Sequence, residues 1–382
     1  MNADLVVFGE DWERHPSSTQ HLVKRLARDR QVVWVNSIGM RRPRLSGTDL
    51  ARVSAKLGAW VGGRKKTNAA RPRQASVPEK RPVEVVAPMA MPWPGSRIAE
   101  RINKIALSQQ IGKALAAKNM KQPILWASLP TALPAVGELG ERAVVYYCGD
   151  DFGALADVDH EPVLEMEQRL VAKADLILAA SPTLAERFPR EKTMYLPHGV
   201  DVSLFSTPSP RAHDLPSGQP VAGFYGSLSD WIDVDLLATV AQRLPEWRFV
   251  FIGDVRTDVT ALMRCANVQL LGARPHAELS RYSQHWSASM LPFRNCPQIT
   301  ACNPLKLREY LAAGRPLVST SFPALGPYAT LIHEANTPDT FAAALVHSCN
   351  EGAEQAAARR ASIAGESWDV RAEAVANALR NL

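Results

Sequence analysis

Lys306 and Glu309 stand three residues apart in the run Asn303-Pro304-Leu305-Lys306-Leu307-Arg308-Glu309-Tyr310-Leu311-Ala312-Ala313-Gly314-Arg315-Pro316-Leu317-Val318. Asn is a good N-cap, Pro a favoured first helical residue and Gly a common stop, so the run predicts a capped helix followed by a strand. Lys306 then falls in the first turn, where the helix dipole disfavours a cation unless an anion is bound there too. A diphosphate would remove that conflict. Glu309 lies one turn deeper on the same face, where its carboxylate can accept two hydroxyl hydrogen bonds from a ribose. The same spacing also suits an ordinary amphipathic helix with a Lys306/Glu309 surface pair. Asp150 and Asp151 follow the apolar run Ala143-Val144-Val145-Tyr146-Tyr147 and so emerge at the C-terminal end of a strand. A carboxylate there can deprotonate a hydroxyl, or the pair can simply cap the next helix.

Two Asp-x-Asp strings, Asp157-Val158-Asp159 and Asp233-Val234-Asp235, complete no recognised metal-loop spacing, and no metal or other cofactor is expected. Five cysteines without a Cys-x-x-Cys pair give neither a disulfide framework nor a zinc knuckle, so they are expected to be reduced. Net charge is +6, yet residues 41–81 hold twelve Lys/Arg against Asp49 and Glu79. Three readings of this basic segment stand side by side. It could be a solvated loop, a patch for anionic lipid with Leu57, Trp60 and Val61 as shallow anchors, or a nucleic-acid patch that lacks interleaved aromatics.

The elements that must position these residues alternate strand and helix. Strands are expected at Leu5-Val6-Val7-Phe8, Gln31 to Asn36, Val83 to Val86, Pro123 to Trp126, Ala143 to Tyr147 and Leu176 to Leu178. A helix with Leu22, Val23 and Leu26 inward, capped by Ser17 or Ser18, follows the first. Another is expected from Ile98 to about Asn119, with helical spacing through Ile102, Ile105, Ile111 and Leu115. After a Pro- and Gly-rich stretch, strands resume at Val221 to Tyr225, Arg248 to Ile252, Val268 to Leu271 and Pro316 to Ser319. Such alternation implies α/β architecture with parallel sheets, two Rossmann-like domains, and a site in the cleft between them. The domains are placed at 1–200 and 221–365, with a linker at 201–220 and a last helix at 366–382.

At 382 residues, 46% hydrophobic and 21% charged, the chain can bury two cores, which excludes disorder and coiled coil as the main architecture. The longest apolar stretch, Val83 to Pro94, is broken by prolines and too short to span a bilayer. Met1-Asn2-Ala3-Asp4-Leu5 lacks a basic n-region, so a cytosolic protein is expected.

Asn303 to Val318 closely resembles the nucleotide-binding segment of GT-B glycosyltransferases, specifically bacterial enzymes of the teichuronic-acid and exopolysaccharide type. Matching segments follow in order: Gln20-His21-Leu22, Val145 to Asp151, Ala174-Asp175 to Ser181, Pro197-His198-Gly199-Val200-Asp201 with Phe205, Gly226 to Asp233, and Leu291-Pro292-Phe293. Coverage is nearly the whole chain. Ser367-Trp368-Asp369 is similar to the segment that, in this fold, crosses back to cover the N-domain.

The resemblance implies transfer of a sugar from a nucleotide-diphosphate sugar to a hydroxyl of a lipid-linked glycan in cell-surface polysaccharide synthesis. It assigns Asp150 as base, because Val145 to Asp150 is similar in spacing to the catalytic segment of the inverting glucuronosyltransferase of xanthan assembly. Gly226, Ser227, Arg294, Lys306 and Glu309 are expected to bind the donor, and His15, Gln20 and Asp151 to meet the acceptor or position it. His15 and His198 are lesser candidates, also read as loop or linker residues, whose neutral imidazoles could serve only positioning. Two departures stand out. Many retaining members carry Glu where this chain has Ala301, which favours an inverting course. Gly226-Ser227-Leu228-Ser229 also lacks the usual Arg and Lys, leaving phosphate charge to Lys306 with help from Arg294. The membrane reading of 41–81 ranks first on this resemblance, with the protein at the inner face of the membrane and nucleic acid not favoured. The competing expectations are a non-catalytic sugar-nucleotide scaffold and a nucleic-acid-modifying glycosyltransferase.

Overall fold

The computed structural model describes residues 2–14, 17–42, 83–155 and 158–382. Its strands are β1 (Leu5–Phe8), β2 (Val32–Val35), β3 (Val83–Val86), β4 (Ile124–Ala127), β5 (Ala143–Cys148), β6 (Leu176–Ala179), β7 (Thr193–Tyr195), β8 (Val221–Tyr225), β9 (Arg248–Ile252), β10 (Val268–Leu270), β11 (Ala288–Leu291), β12 (Leu317–Ser319) and β13 (His333–Glu334). They form two sheets, ordered β3-β2-β1-β4-β5-β6-β7 and β10-β9-β8-β11-β12-β13. The described pairings are parallel, as in Leu5 opposite Val32 and Ile124, and Val221 opposite Arg248. Every residue of β1, β2, β4 and β5 is buried, the pattern of strands covered by helices on both faces.

The described chain packs as two compact units: residues 1–12, 27–146 and 156–175, and residues 13–26, 147–155 and 176–382. The strands themselves divide at the Pro-rich stretch, β1 to β7 before it and β8 to β13 after. In the first unit, the Arg97–Ala117 helix buries Leu107, Ile111 and Leu115 but leaves Ile98, Ile102 and Ile105 exposed. This corrects the expectation that Ile102 and Ile111 share a face. Nine residues at 100° each place them half a turn apart.

In the second unit the Pro-rich stretch is packed rather than loose. Phe205, Ala212 and Leu215 are buried in the same core as β8 and β9. The Gln284 side-chain amide donates to the carbonyls of Phe205 (2.7 Å) and Thr207 (2.8 Å), and its oxygen accepts from Ser209 N (3.0 Å). A side chain thus satisfies backbone groups that prolines prevent from pairing regularly.

The chain's last helix, Trp368–Arg380, packs on the early Ser18–Leu26 helix. Ser367 caps it by accepting from Val370 N, and a parallel bridge joins Val200 to Ser367. Arg25 Nε lies 3.0 Å from Asp369 Oδ2, and the His21 and Trp368 rings stack at 4.7 Å. All five cysteines are free. No helix among the described residues is long and apolar enough to cross a membrane.

Candidate functional site

Leu305–Ala313 is a helix of strong helix formers, buried from Leu307 to Ala313. Gly314 ends it at φ 78°, a left-handed conformation that costs glycine nothing, and its N–H caps the carbonyls of Tyr310 and Leu311. The start differs from expectation. Asn303 does not cap: its amide donates to Ala180 O (2.8 Å), and its oxygen accepts from Arg308 Nη1 (2.7 Å). Arg308 donates through Nε to Glu366 Oε2 (2.6 Å), and Tyr328 and Arg371 also bind that carboxylate. The first turn is therefore fixed by a buried ionic network, leaving its own N–H groups without a side-chain cap.

Lys306 sits in that turn. It keeps part of its surface open, yet protein crowds it enough that burial lowers its pKa, with Cys302 and Glu309 opposing. Among the described residues it forms no ion pair. Its Nζ lies 5.5 Å from the Phe224 ring centre, and its stem lies against Gly226. Gly226 follows β8 at φ 132°, and a Cβ there would collide with Lys306 Cε. Gly253, which follows β9, is constrained likewise by Gly226 O. The end of β8 thus meets the Lys306 side chain, and the end of β9 meets the end of β8. Next to them, Ser229 Oγ is buried with no hydrogen-bond partner among the described residues. Ser227 is half-buried in the same loop.

Glu309 is buried one turn on, and its Oε1 lies 2.7 Å from His276 Nε2. Burial, the largest influence, pulls the His276 pKa down, but the hydrogen bond to Glu309 and its charge outweigh that and leave it raised. His276 meets the edge of the His21 ring at 5.9 Å; burial and the His276 charge lower His21 to about 4. The Tyr225 hydroxyl is pushed well up by burial and by the Glu309 charge. Sequence reasoning missed His276, since nothing in its spacing ties it to a carboxylate 33 residues on.

Asp150 is exposed, and no described residue hydrogen-bonds its carboxylate. It is nevertheless surrounded by protein, so that burial, then the charge of Asp151, raises its pKa. Asp151 is committed elsewhere, to Arg187 Nη1 (2.6 Å) and Gly153 N (2.9 Å). Cys302 feels both candidate groups. Burial lifts it to about 12, Asp150 adds to the rise and Lys306 opposes it. Ala301, beside it, is buried at the end of the Pro297–Ala301 helix.

The remaining candidates are used structurally. Gln20 is buried, and its Oε1 accepts from the N–H of Glu13, a residue held at φ 59°. His15 lies outside the described residues, as does all of the basic segment beyond Arg42. His198 is buried against Ser18 Oγ (2.7 Å) and the Tyr147 hydroxyl (3.2 Å), and burial, then Arg308 and Arg371, lowers it to about 3. It is neutral at physiological pH. Arg294 Nε donates to Ile232 O (3.2 Å) and its Nη2 lies 3.6 Å from Asp235 Oδ2, contacts within its own loop. Asp233 caps the Val234–Arg243 helix through Leu236 N. Asp157 lies outside the described residues, among which no cluster of three His, Cys, Asp or Glu side chains could hold a metal.

Residues 219–351 match the family model for Glycosyl transferases group 1. TuaH of Bacillus subtilis (strain 168), provisionally named a teichuronic acid biosynthesis glycosyltransferase, is 29% identical over 256 residues. That stretch is 60% of this chain and 64% of TuaH, so the match spans less than two thirds of the relative. Anabaena Alr3699/HepE in complex with UDP and glucose is similar over 100% of both chains, with 14% identity and a TM-score of 0.66. Sucrose-phosphate synthase from Thermosynechococcus elongatus is similar over 99% of this chain and 98% of its own, with 13% identity and a TM-score of 0.69. At such identities these structures show the fold, an α/β GT-B fold with two parallel sheets. The resemblance to bacterial GT-B glycosyltransferases is thereby supported by a family model, a relative and the fold.

Proposed function

We propose that the chain is a glycosyltransferase that moves a sugar from a nucleoside-diphosphate sugar to a hydroxyl of a lipid-linked glycan in cell-surface polysaccharide synthesis. The observation that carries the reading is Lys306, a cation held against Gly226 in the open first turn of a buried helix without a carboxylate partner among the described residues. A diphosphate supplies the missing counter-charge, and the helix N–H groups supply donors. This arrangement favours a metal-independent course, with Lys306 and the helix start neutralising the leaving nucleoside diphosphate. Gly226, Ser227 and Ser229 line the approach of the phosphates, and Glu309 holds the ribose.

Asp150 is the general base. Its raised pKa brings it nearer the working pH, where a base is both available and strong enough to accept a proton. It takes the acceptor proton as the acceptor oxygen bonds to the anomeric carbon and the bond to the diphosphate breaks, an inverting displacement. UDP in the HepE complex makes uridine diphosphate sugars the first donors to test. The protein works at the inner face of the membrane, where the charges of 41–81 hold it to anionic lipid. The contacts of Arg294 within its own loop, with Ala301, favour a second reading, a sugar-nucleotide scaffold without turnover.

A panel of nucleotide sugars read by thermal shift identifies the donor, because a ligand bound to the folded state raises Tm by mass action. Mass spectrometry of the acceptor then separates transfer from mere binding. Glu309→Ala is expected to weaken the chosen donor by ~1.5–3 kcal/mol, the size of a lost charge-assisted hydrogen bond. Unchanged affinity by calorimetry, with the fold intact, would remove Glu309 from the site.

A further inference from the structure

Eleven large apolar side chains are exposed among the described residues, and six of them, Val85, Met89, Trp93, Ile98, Ile102 and Ile105, fall between residues 85 and 105. That concentration within one unit is unlike singly scattered surface apolars, which need no explanation. Ile98, Ile102 and Ile105 recur at i, i+4 and i+7 along the Arg97–Ala117 helix and are 72%, 46% and 60% exposed. They form one stripe, opposite the face that Leu107, Ile111 and Leu115 bury.

Beside the stripe the preceding loop is fixed by two side-chain amides. Gln110 exchanges hydrogen bonds with both backbone groups of Met89 (2.9 and 3.1 Å), and Asn103 does so with Met91 (2.7 and 2.9 Å). Met89 and Trp93, 55% and 46% exposed, are therefore held along the helix rather than folded inward. The other flank is basic. Arg97 and Arg101 are exposed and form no ion pair among the described residues, and Lys104 pairs with Glu138 at 2.6 Å. The helix's one carboxylate, Glu100, is neutralised by Arg169.

Charge decides what covers this stripe. Residues 43–82 of the chain itself carry a strong net positive charge, which opposes their lying on a positive rim. A second copy docking by the same face would bring two such rims together. An anionic bilayer meets both the apolar stripe and its flank. We propose that the Arg97–Ala117 helix, with Met89 and Trp93 beside it, docks on the surface of an anionic membrane. The helix lies in the interface plane, with isoleucines among the upper acyl chains and Arg97 and Arg101 at phosphates. The inference does not depend on donor chemistry. It rests on the proposed function only in the expectation that a lipid-linked acceptor is met at such a surface.

The test is flotation of the full-length chain with vesicles of phosphatidylcholine alone or mixed with phosphatidylglycerol. The intact protein is expected to bind the mixed vesicles, and Ile102→Ser with Ile105→Ser to lower that partition ~10-fold. Arg97→Glu with Arg101→Glu should abolish the preference for phosphatidylglycerol. Both side-chain pairs are exposed, so the fold should survive, and unchanged circular dichroism and Tm check that. The basic segment is identical in all three proteins, so the differences report the helix alone. Equal partition of the serine variant, or no binding by the intact chain, overturns the proposal. So does a dimer in sedimentation equilibrium that the serine pair dissolves, which would assign the stripe to a second copy. Donor-induced thermal stabilisation, measured separately, shows whether the glycosyltransferase reading stands or falls on its own.

Discussion

Asp150→Asn is expected to lower turnover by roughly 10²–10⁴, the range lost when a general base is removed, while donor affinity stays near that of the intact protein. The substitution keeps size and shape but cannot accept the proton. Asp150 is chosen over Asp151 because its carboxylate has no hydrogen-bond partner among the described residues, whereas Asp151 is tied to Arg187 and Gly153. The pH profile sharpens the test. A base with a raised pKa makes activity fall as acid protonates it, beginning at a pH above the ordinary aspartate range. The Asn variant should lose that limb as well as rate. The product anomer should be inverted. Near-normal turnover in the variant, or a retained anomer by NMR, would leave Asp150 as a loop residue.

Arg308→Met is expected to destabilise the fold by ~3–5 kcal/mol in urea titrations, because it strips one partner from a buried charge network. Arg308 is almost wholly buried and bridges Asn303 and Glu366, so its loss takes this donor from Asn303 and leaves the Glu366 carboxylate to Tyr328 and Arg371 alone. Removing Glu366 at the same time should cost less than the sum of the two single changes. Burial alone would raise the Glu366 pKa, but the Arg308 charge and the Tyr328 hydrogen bond outweigh it and leave the pKa lowered. A carboxylate with a lowered folded pKa contributes stability above its unfolded value and loses it as pH falls towards the folded one. Intact protein should therefore weaken as acid passes through the ordinary glutamate range, and Arg308→Met should show less of that slope. A variant as stable as the parent would contradict the network's role.

Much of this arrangement was legible because apolar runs and breakers act locally. Leu5–Phe8, Val32–Val35 and Val221–Tyr225 announce strands that must be covered on both faces, and Gly314 announces a helix stop. β11 was not legible, although it lies between β8 and β12. Its Ala288-Ser289-Met290-Leu291 is too small and polar to read as a central strand, and Ser289 is tolerated there because its Oγ accepts from Trp286 Nε1 at 3.0 Å. Lys306 and Glu309 were legible because one helix sets their spacing. Gly226 against Lys306, and His276 on Glu309, are tertiary contacts with no local trace. Asn303 carried a true local preference for capping that lost to Arg308 and the Ala180 carbonyl. Arg294 carried the right charge, but Asp235 and the Ile232 carbonyl hold it.

In the proposed function, the start of the Leu305–Ala313 helix binds the diphosphate of a nucleotide sugar. Isothermal calorimetry of the intact chain and Lys306→Met, each titrated with UDP, the preferred nucleotide sugar and uridine, tests it most directly. The variant is expected to lose ~1.5–3 kcal/mol for both diphosphates and almost nothing for the nucleoside. Equal losses for all three ligands, or none for any, would contradict it.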